Sequence, residues 1–438
     1  MKLITFGEIN KSLLYILLMG ASNMLNLFIY GFTYIECFYP MNIYCSLYNW
    51  IVGKKDECPH HRIFDPFFSY IGVIIISFIF LREKNIEEED NDSKKENNEE
   101  EEEKNDNILK LKYNGRMAHL KSIKGFLYYA LIIFLWIAEE NLLIIYVDFF
   151  QDLDFWFFEL IFVSLIYSRT FFSKILSHQK LGMAISIIIG SLLKIFSISV
   201  TISNGSDDIL YNKYKWLLPF VIIYFLLIIL RSYVNTQIKI FFDLKYISQR
   251  VLLTSYGIAG VIILGLTGLF TSNVPCSEKL RKYVCNFDYE GNLYYDNFDN
   301  YYESGKNMLV RLIVIFLGII TFFFDKYYST LIIKSYSPIH VIFSFPVQHF
   351  IEKAFLLIFT AIFFRDDYLL KEKYKIPKFI MDETGDLFSV IGFLIYLEII
   401  ELHFCNLDYD LKNNITKRAN NEIKELASFI EVIEEDQN

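Results

Sequence analysis

Three long apolar segments between Gly125 and Val200 constrain the fold of this chain more than any other feature. Each is about 20 residues long, the length of an α-helix that crosses a bilayer, and the polar links between them are too short to fold alone. Lipid offers the backbone no hydrogen bonds, so segments of this kind must be helical and packed against one another. The sequence therefore predicts an all-α polytopic membrane protein.

Similar segments recur along all 438 residues. We predict ten transmembrane helices, near residues 12–34, 66–82, 125–147, 155–172, 181–201, 216–238, 250–272, 308–330, 338–364 and 387–404. With five helices in each half, the second half enters the membrane from the opposite side, an arrangement common in carriers. We therefore expect two inverted five-helix repeats, at 1–201 and 202–407, followed by a polar cytosolic tail at 408–438.

The charged residues are concentrated between the apolar segments. The formal net charge is −9, and the run at 86–107 alone has twelve acidic and three basic residues, so the rest of the chain is balanced. No global positive field indicates a nucleic-acid partner. The composition of the run cannot build a packed core, and we interpret it as an acidic, disordered cytosolic insert.

Loop composition predicts the orientation in the membrane. No small-residue cleavage site follows the first apolar segment, which we interpret as a retained helix rather than a signal peptide. With the N-terminus in the cytosol, basic residues such as Lys245, Lys326 and Lys334 fall in cytosolic loops, as the positive-inside tendency requires. Both termini are then cytosolic in an integral, multi-pass protein of an endomembrane (Golgi, ER or vacuole) or of the plasma membrane.

Five of the six cysteines fall in two predicted luminal loops, one after the first helix and one at 273–306. They are Cys37, Cys45, Cys58, Cys276 and Cys285. This clustering suits an oxidising compartment. Cys276 and Cys285 are the best disulfide pair by proximity, while the pairing of the other three stays open. The sequon at Asn204 is a candidate glycosylation site on the same side of the membrane.

Polar side chains inside the predicted helices are the candidate functional residues, because burying them in lipid is costly and usually functional. The candidate substrate-binding residues are Asn23, Asn26, Glu139, Glu140, Asn141, Glu159, Arg231, Asn235, His349, Glu352 and Lys353. Arg231 and Asn235 are four residues apart and share a helix face. The adjacent Glu139 and Glu140 point about 100° apart, so one of them should face a given cavity.

These residues allow two interpretations. They could pair with each other, for example a glutamate with Arg231 or Lys353, and merely hold the bundle together. Alternatively, they line a water-filled central cavity that binds a polar solute, with proton coupling through a glutamate. Because the ionisable residues come from four different helices, we favour the cavity.

Motifs of known enzyme classes are absent from the sequence. We find no P-loop, dinucleotide fingerprint, HExxH or serine elbow, so we predict neither an enzyme activity nor a cofactor. His60 and His61 beside Cys58 lack a convincing fourth ligand, so no metal site is predicted.

Small residues and prolines within the apolar segments have a structural interpretation. Glycines and other small residues permit close helix approach in lipid, and they recur in helices 5 and 7: Gly182, Ala184, Ser186, Gly190, Gly257, Gly260, Gly265 and Gly268. Pro338 and Pro346 are candidates for a break in helix 9 beside the cavity, a feature that carriers use for ligand access.

The stretch FELIFVSLIYSRTFFSKILSHQKLGMAISIIIGSLLKI, which runs from Phe158 to Ile195, resembles the drug/metabolite transporter superfamily. That superfamily includes EamA-like, nucleotide-sugar and triose-phosphate carriers. Its fourth helix ends in a short polar turn before a glycine-containing fifth helix that begins near a QxxG step, here Gln179 to Gly182. The stretch KYISQRVLLTSYGIAGVIILG is similar to the helix 6–7 junction of that superfamily. The stretch SPIHVIFSFPVQHFIEKAFLLIFTAIFF, followed by LFSVIGFLIYLEII, is similar to its helix 9–10 pair.

The resemblance implies a ten-helix carrier with alternating access, in which helices 5 and 10 are peripheral and the other eight line the cavity. It would place these residues at the cavity: Asn23, Asn26, Glu139, Glu159, Arg231, Asn235 and Glu352. The chain departs from the phosphate-sugar branches because it lacks their full set of cavity lysines and arginines, which argues against an anionic nucleotide-sugar substrate.

We therefore expect a secondary transporter that moves a small organic metabolite across a membrane, with a glutamate of helix 3 binding a proton or another cation. The alternative is a non-transporting membrane receptor or scaffold that docks partners through the acidic insert and the C-terminal tail. The expected partners are a small-molecule substrate and membrane lipid, with a homodimer left open and no nucleic acid.

Overall fold

The computed structural model of the protein describes thirteen stretches of the chain. They are residues 4–6, 11–34, 64–80, 122–149, 156–173, 175–204, 217–271, 286–287, 293–294, 308–363, 375–405, 407–411 and 414–420. The acidic insert at 86–107 and the five cysteines of the predicted luminal loops lie outside these residues, as does the tail beyond residue 420.

The described residues form ten helices of 16 to 28 residues. They are α1 (Lys11–Tyr34), α2 (Phe64–Phe80), α3 (Ile123–Phe149), α4 (Trp156–Phe171), α5 (Ser177–Asn204), α6 (Leu217–Asp243), α7 (Gln249–Thr271), α8 (Met308–Ser335), α9 (Pro338–Phe363) and α10 (Lys375–Tyr396). Nine of the predicted segments agree with a helix to within five residues at each end. Asn204, the predicted glycosylation site, is the last residue of α5 and not part of a loop.

Three helices in the described part of the chain are long and apolar enough to cross a membrane. The qualifying stretches are Ile222–Asp243 in α6, Gln249–Leu269 in α7 and Ile315–Ser335 in α8. Shorter apolar stretches occupy Leu13–Ser22 in α1 and Phe67–Ile79 in α2. These are the features of a mostly helical membrane protein.

The last helix differs from its prediction, which was 387–404. α10 begins at Lys375, because apolar residues continue at helical spacing through a stretch whose polar side chains resemble those of a loop. It ends at Tyr396 without a glycine: Glu398 takes the left-handed conformation (φ 60°) that closes the helix. The N–H of Ile399 then donates to the carbonyl of Leu394 at 2.9 Å, as in a Schellman motif.

Helix α9 is continuous, so the predicted break at its two prolines is wrong. Pro338 is the first residue of the helix. The N–H at this position has no partner within a helix, so proline loses no hydrogen bond there. Ser337 precedes it, and its hydroxyl hydrogen-bonds to Nδ1 of His340 at 2.8 Å. Pro346 lies inside the helix, which continues to Phe363.

Helices α5 and α10 pack against each other more extensively than any other pair of described helices. Small residues line the contact, and Ser186 Oγ donates to the carbonyl of Ser389 at 3.1 Å. Gly182 faces Gly392 and Tyr396, while Gly190, further along α5, faces Ser389 and Gly385, so the two helices run antiparallel. Glycine is required at Gly182, because an added Cβ would meet the carbonyl oxygen of Gly392.

Helices α2 and α7 form a second close antiparallel pair. Gly257 and Gly260 of α7 lie against Tyr70, and Gly265 lies against Phe67, one helical turn earlier in α2. The predicted role of these glycines in helix packing is confirmed at both pairs.

The remaining contacts form both between the two sets of five helices and within each set. α1 packs on α8 and α9, and α6 packs on α3 and α4. α2 packs on α8, α7 on α3, α9 on α10, α4 on α5, and α4 on α9. Further contacts join α8 to α6, α7 and α9. The first and second halves of the described chain therefore form one bundle.

Short strands and polar contacts gather at one end of this bundle. Strand β1 (Ile4–Phe6), before α1, pairs antiparallel with β4 (Ile400–Leu402), after α10. The N-terminus of α5 meets the same region, where Ser177 Oγ donates to Asp410 Oδ2 at 2.8 Å.

A second strand pair, β2 (Asn286–Phe287) with β3 (Leu293–Tyr294), lies in the connection between α7 and α8.

Candidate functional site

Arg231, near the middle of α6, lies between two carboxylates from other helices. Its Nε is 3.5 Å from Oε1 of Glu139 on α3 and 3.6 Å from Oε1 of Glu159 on α4. Both glutamates are buried, with 1% and 2% of their surface exposed. The guanidinium carbon of Arg231 lies 4.2 Å from the centre of the Phe345 ring on α9. This cation therefore contacts two carboxylates and one aromatic face.

Lys326 on α8 forms a second ion pair beside the first. Its Nζ is 2.8 Å from Oε1 of Glu140 and 3.2 Å from Oδ2 of Asp325. Trp136 Nε1 donates to the same oxygen of Glu140 at 2.9 Å. The hydroxyl of Tyr256 donates to the other oxygen, Oε2. Glu140 thus has partners at both carboxylate oxygens.

Aromatic rings surround this second pair. The rings of Trp136 and Tyr256 are 4.2 Å apart, and Tyr70 lies 5.1 Å from Tyr256. Lys326 Nζ lies 5.2 Å from the centre of the Phe322 ring. The rings take the place of water around the charges, which strengthens each electrostatic contact.

The two adjacent glutamates face different neighbours, as their angular separation on the helix requires. Glu139 faces Arg231 of α6, whereas Glu140 faces Tyr256 of α7 and Lys326 of α8. The predicted pairing of a glutamate with Arg231 is found. The structure thus brings together Glu139, Glu140, Glu159 and Arg231, and it adds Lys326 and Asp325 to them.

The other predicted site residues have different positions. Asn141 lies beside the cluster, with its side-chain Nδ2 3.5 Å from the hydroxyl of Tyr70. Asn235 is buried one turn after Arg231 on α6. The remaining predicted residues are on α1 and α9, but their side chains lie outside the part of the chain that the structure describes: Asn23, Asn26, His349, Glu352 and Lys353.

The position of Lys326 corrects a prediction: it was counted among the cytosolic loop residues, although it falls inside the predicted segment 308–330. The helix α8 extends to Ser335, so Lys326 lies well inside it and is mostly buried. The available signal was the adjacent pair Asp325–Lys326 within FFFDKYYSTLII, where charged residues interrupt an apolar segment. Tyr70, Trp136 and Tyr256 gave no such signal, because aromatic residues make up 18% of the chain.

The cluster contains more negative than positive groups. Four carboxylates (Glu139, Glu140, Glu159 and Asp325) share the two cations Arg231 and Lys326. A buried carboxylate without a full counter-charge is costly, so the cluster has the charge to hold a proton or another cation. Within the described residues, no three His, Cys, Asp or Glu side chains meet in a way that could hold a metal ion.

No protein-family model matches this sequence, and the search of curated proteins found no match.

Proposed function

We propose that this protein is a secondary transporter that moves a small organic metabolite by alternating access. The observation that carries the proposal is the buried ionic cluster, which connects α3 and α4 of the first half to α6 and α8 of the second. Ionisable groups are expensive inside a membrane and usually mark substrate or ion pathways. Ion pairs between the halves can break and re-form as the halves move, which couples movement to binding.

We also propose that the ten helices all cross the membrane, as two inverted five-helix repeats. The helix contacts support this proposal. If each helix is exchanged for its equivalent in the other half (α1 for α6, α2 for α7, and so on), many contacts have an equivalent contact. The equivalent contacts are α1–α8 and α6–α3, α1–α9 and α6–α4, α2–α8 and α7–α3, and α9–α10 and α4–α5. The pairs α2–α7 and α5–α10 run antiparallel, which suits an inverted relation between helices five places apart.

Contacts at one end of the bundle support the same topology. If every helix crosses, the odd helices begin and the even helices end on one side. Arg250 at the start of α7 donates to the carbonyl of Phe78 in the last turn of α2. Lys239, the fifth residue from the end of α6, donates to the carbonyl of Lys334 in the last turn of α8. The pairing of β1 with β4 follows the same rule.

The proposed topology predicts which sites are accessible from each side. We expect a protease-cleavable tag before β1 and another after residue 420 to be cut from the same side of sealed vesicles. A tag placed in the 273–306 connection serves as the control and should be cut only from the other side. Cleavage of the two end tags from opposite sides would contradict an even number of crossings.

The transport proposal is tested by uptake into proteoliposomes containing the full chain. The panel comprises cationic amines, amino acids, nucleosides, sugar phosphates and nucleotide sugars, each with and without an inward proton gradient. We expect Glu139→Gln and Glu140→Gln to abolish gradient-driven accumulation of the transported class, because neither variant can release a proton at that position. Each variant must elute as a monodisperse peak, which excludes misfolding as the cause.

Two outcomes would overturn parts of this proposal. Unchanged accumulation in both variants would remove the glutamates from the coupling mechanism. An absence of transport across the whole panel, with the protein shown to be folded, would favour the receptor or scaffold.

A further inference from the structure

The two adjacent glutamates of α3 differ in how well their partners satisfy them. Glu140 accepts close hydrogen bonds from Lys326 and Trp136, at 2.8 and 2.9 Å, and another from Tyr256. Oε1 of Glu139 accepts no hydrogen bond, although the residue is only 1% exposed. Its contact with Arg231, at 3.5 Å, is longer than the 2.7–2.9 Å typical of charge-assisted hydrogen bonds. Glu139 is therefore the carboxylate with unused binding capacity.

Arg231 holds its two carboxylates in an unusual way. An arginine normally binds a carboxylate through two parallel N–H groups of its planar fork. Here Nε lies 3.5 and 3.6 Å from the two glutamates, while the guanidinium lies over the Phe345 ring. The guanidinium therefore occupies a position between two carboxylates and an aromatic face without close bonds to either carboxylate.

We propose that this position, formed by Glu139, Glu159 and Phe345, binds the cationic group of an organic substrate. The bound ammonium would replace the guanidinium of Arg231, which acts as an internal competitor when the site is empty of substrate. The inference rests on the proposed transport function and names its substrate class, an organic monocation.

The composition of the site favours an organic cation over an inorganic one. Hard metal cations bind six or more oxygen ligands, whereas this position offers two carboxylates and a ring face. Organic ammonium groups bind to aromatic faces through the ring quadrupole. The excess of carboxylates over cations in the cluster makes the arrival of one more positive charge favourable.

The test compares two probes of the same shape and different charge. Choline carries a permanent positive charge, and 3,3-dimethylbutan-1-ol is its neutral counterpart. Their binding to the purified full chain is measured by the ligand-dependent rise of its thermal unfolding midpoint, because a ligand at free concentration L that binds only the folded protein stabilises it by RT ln(1 + L/Kd). We expect choline to bind at least tenfold more tightly than the alcohol. Equal affinity of the two probes would overturn the proposal.

Variants identify the position that binds the probe. Glu139→Gln should weaken choline binding at least tenfold, and Glu139→Asp should recover part of the affinity because it restores the charge. Arg231→Gln should instead tighten choline binding, since it removes the internal competitor; weaker binding would mean that Arg231 is part of the site and would contradict the proposal. Asp408→Asn, a carboxylate-to-amide change outside the ten helices, is the matched control.

These measurements separate the inference from the transport proposal. Choline binding that depends on Glu139, without transport of any panel member, would retain the site and reject the carrier. Transport of a neutral or anionic solute, with no preference for choline over the alcohol, would retain the carrier and reject the cation site. Stabilisation by acidic pH alone, with no response to choline, would identify a proton site and also reject the proposal.

Discussion

Replacing Lys326 with methionine is expected to lower the free energy of unfolding by about 3–5 kcal/mol, the usual effect of breaking a buried ion pair. Methionine keeps most of the length of the side chain but removes the charge that Glu140 and Asp325 share. Two mostly buried carboxylates then lose their cation. Thermal unfolding of the purified protein in detergent measures the loss as a lower midpoint.

A second variant separates lost charge from lost packing. Adding Glu140→Gln to the Lys326 variant removes one of the uncompensated carboxylates and should recover a large part of the lost stability. Lys180→Met, at an exposed position in the first turn of α5, is the matched control, and should change stability by at most about 0.5 kcal/mol. Equal stability of the Lys326 and Lys180 variants would contradict the ionic role of Lys326.

Replacing Gly182 with alanine is expected to destabilise the protein by about 1–3 kcal/mol through overpacking. The added methyl group would meet the carbonyl oxygen of Gly392 and lie 2.9 Å from the backbone nitrogen of Tyr396. Backbone atoms of α10 cannot rotate away as a side chain can, so α5 and α10 must separate. The thermal unfolding midpoint of the variant should fall. In the proteoliposome experiment proposed above, solute uptake by the variant should fall as well.

The same substitution at Gly265 of α7 is the matched control. An added Cβ there would lie 3.4 Å from the Phe67 ring, which is an ordinary contact. We expect the free energy of unfolding to rise by about 0.5–1 kcal/mol, because alanine is a better helix former than glycine. A loss of equal size at both positions would show that the tight backbone approach at Gly182 is not the cause.

The helix positions could largely be predicted from the sequence, because each apolar segment has the length that a bilayer imposes. The exception, α10, combines two features that hide its ends. Its first half is amphipathic, and its left-handed terminal residue is Glu398 instead of the usual glycine. Apolar residues continue past that point into β4, so hydropathy alone extends the helix too far.

The candidate site could be predicted only in part. Glu139, Glu159 and Arg231 were identifiable because charged side chains stand out in apolar segments, and opposite charges in a membrane tend to pair. The pairing of Glu140 with Lys326 joins residues that are 186 positions apart, and no local pattern connects them. The tyrosine and tryptophan around Glu140 could not be distinguished from the many other aromatic residues of the chain.

The pairing of β1 with β4 also constrains how the protein can be made. The partner of Ile4–Phe6 is synthesised about 400 residues later, roughly 20–80 s at typical elongation rates of about 5–20 residues per second. During that time the backbone groups of β1 have no strand to bind, and α1 must form without this contact. The strand pair therefore forms after α10 is complete, and a chain that stops earlier lacks the contact between its two ends.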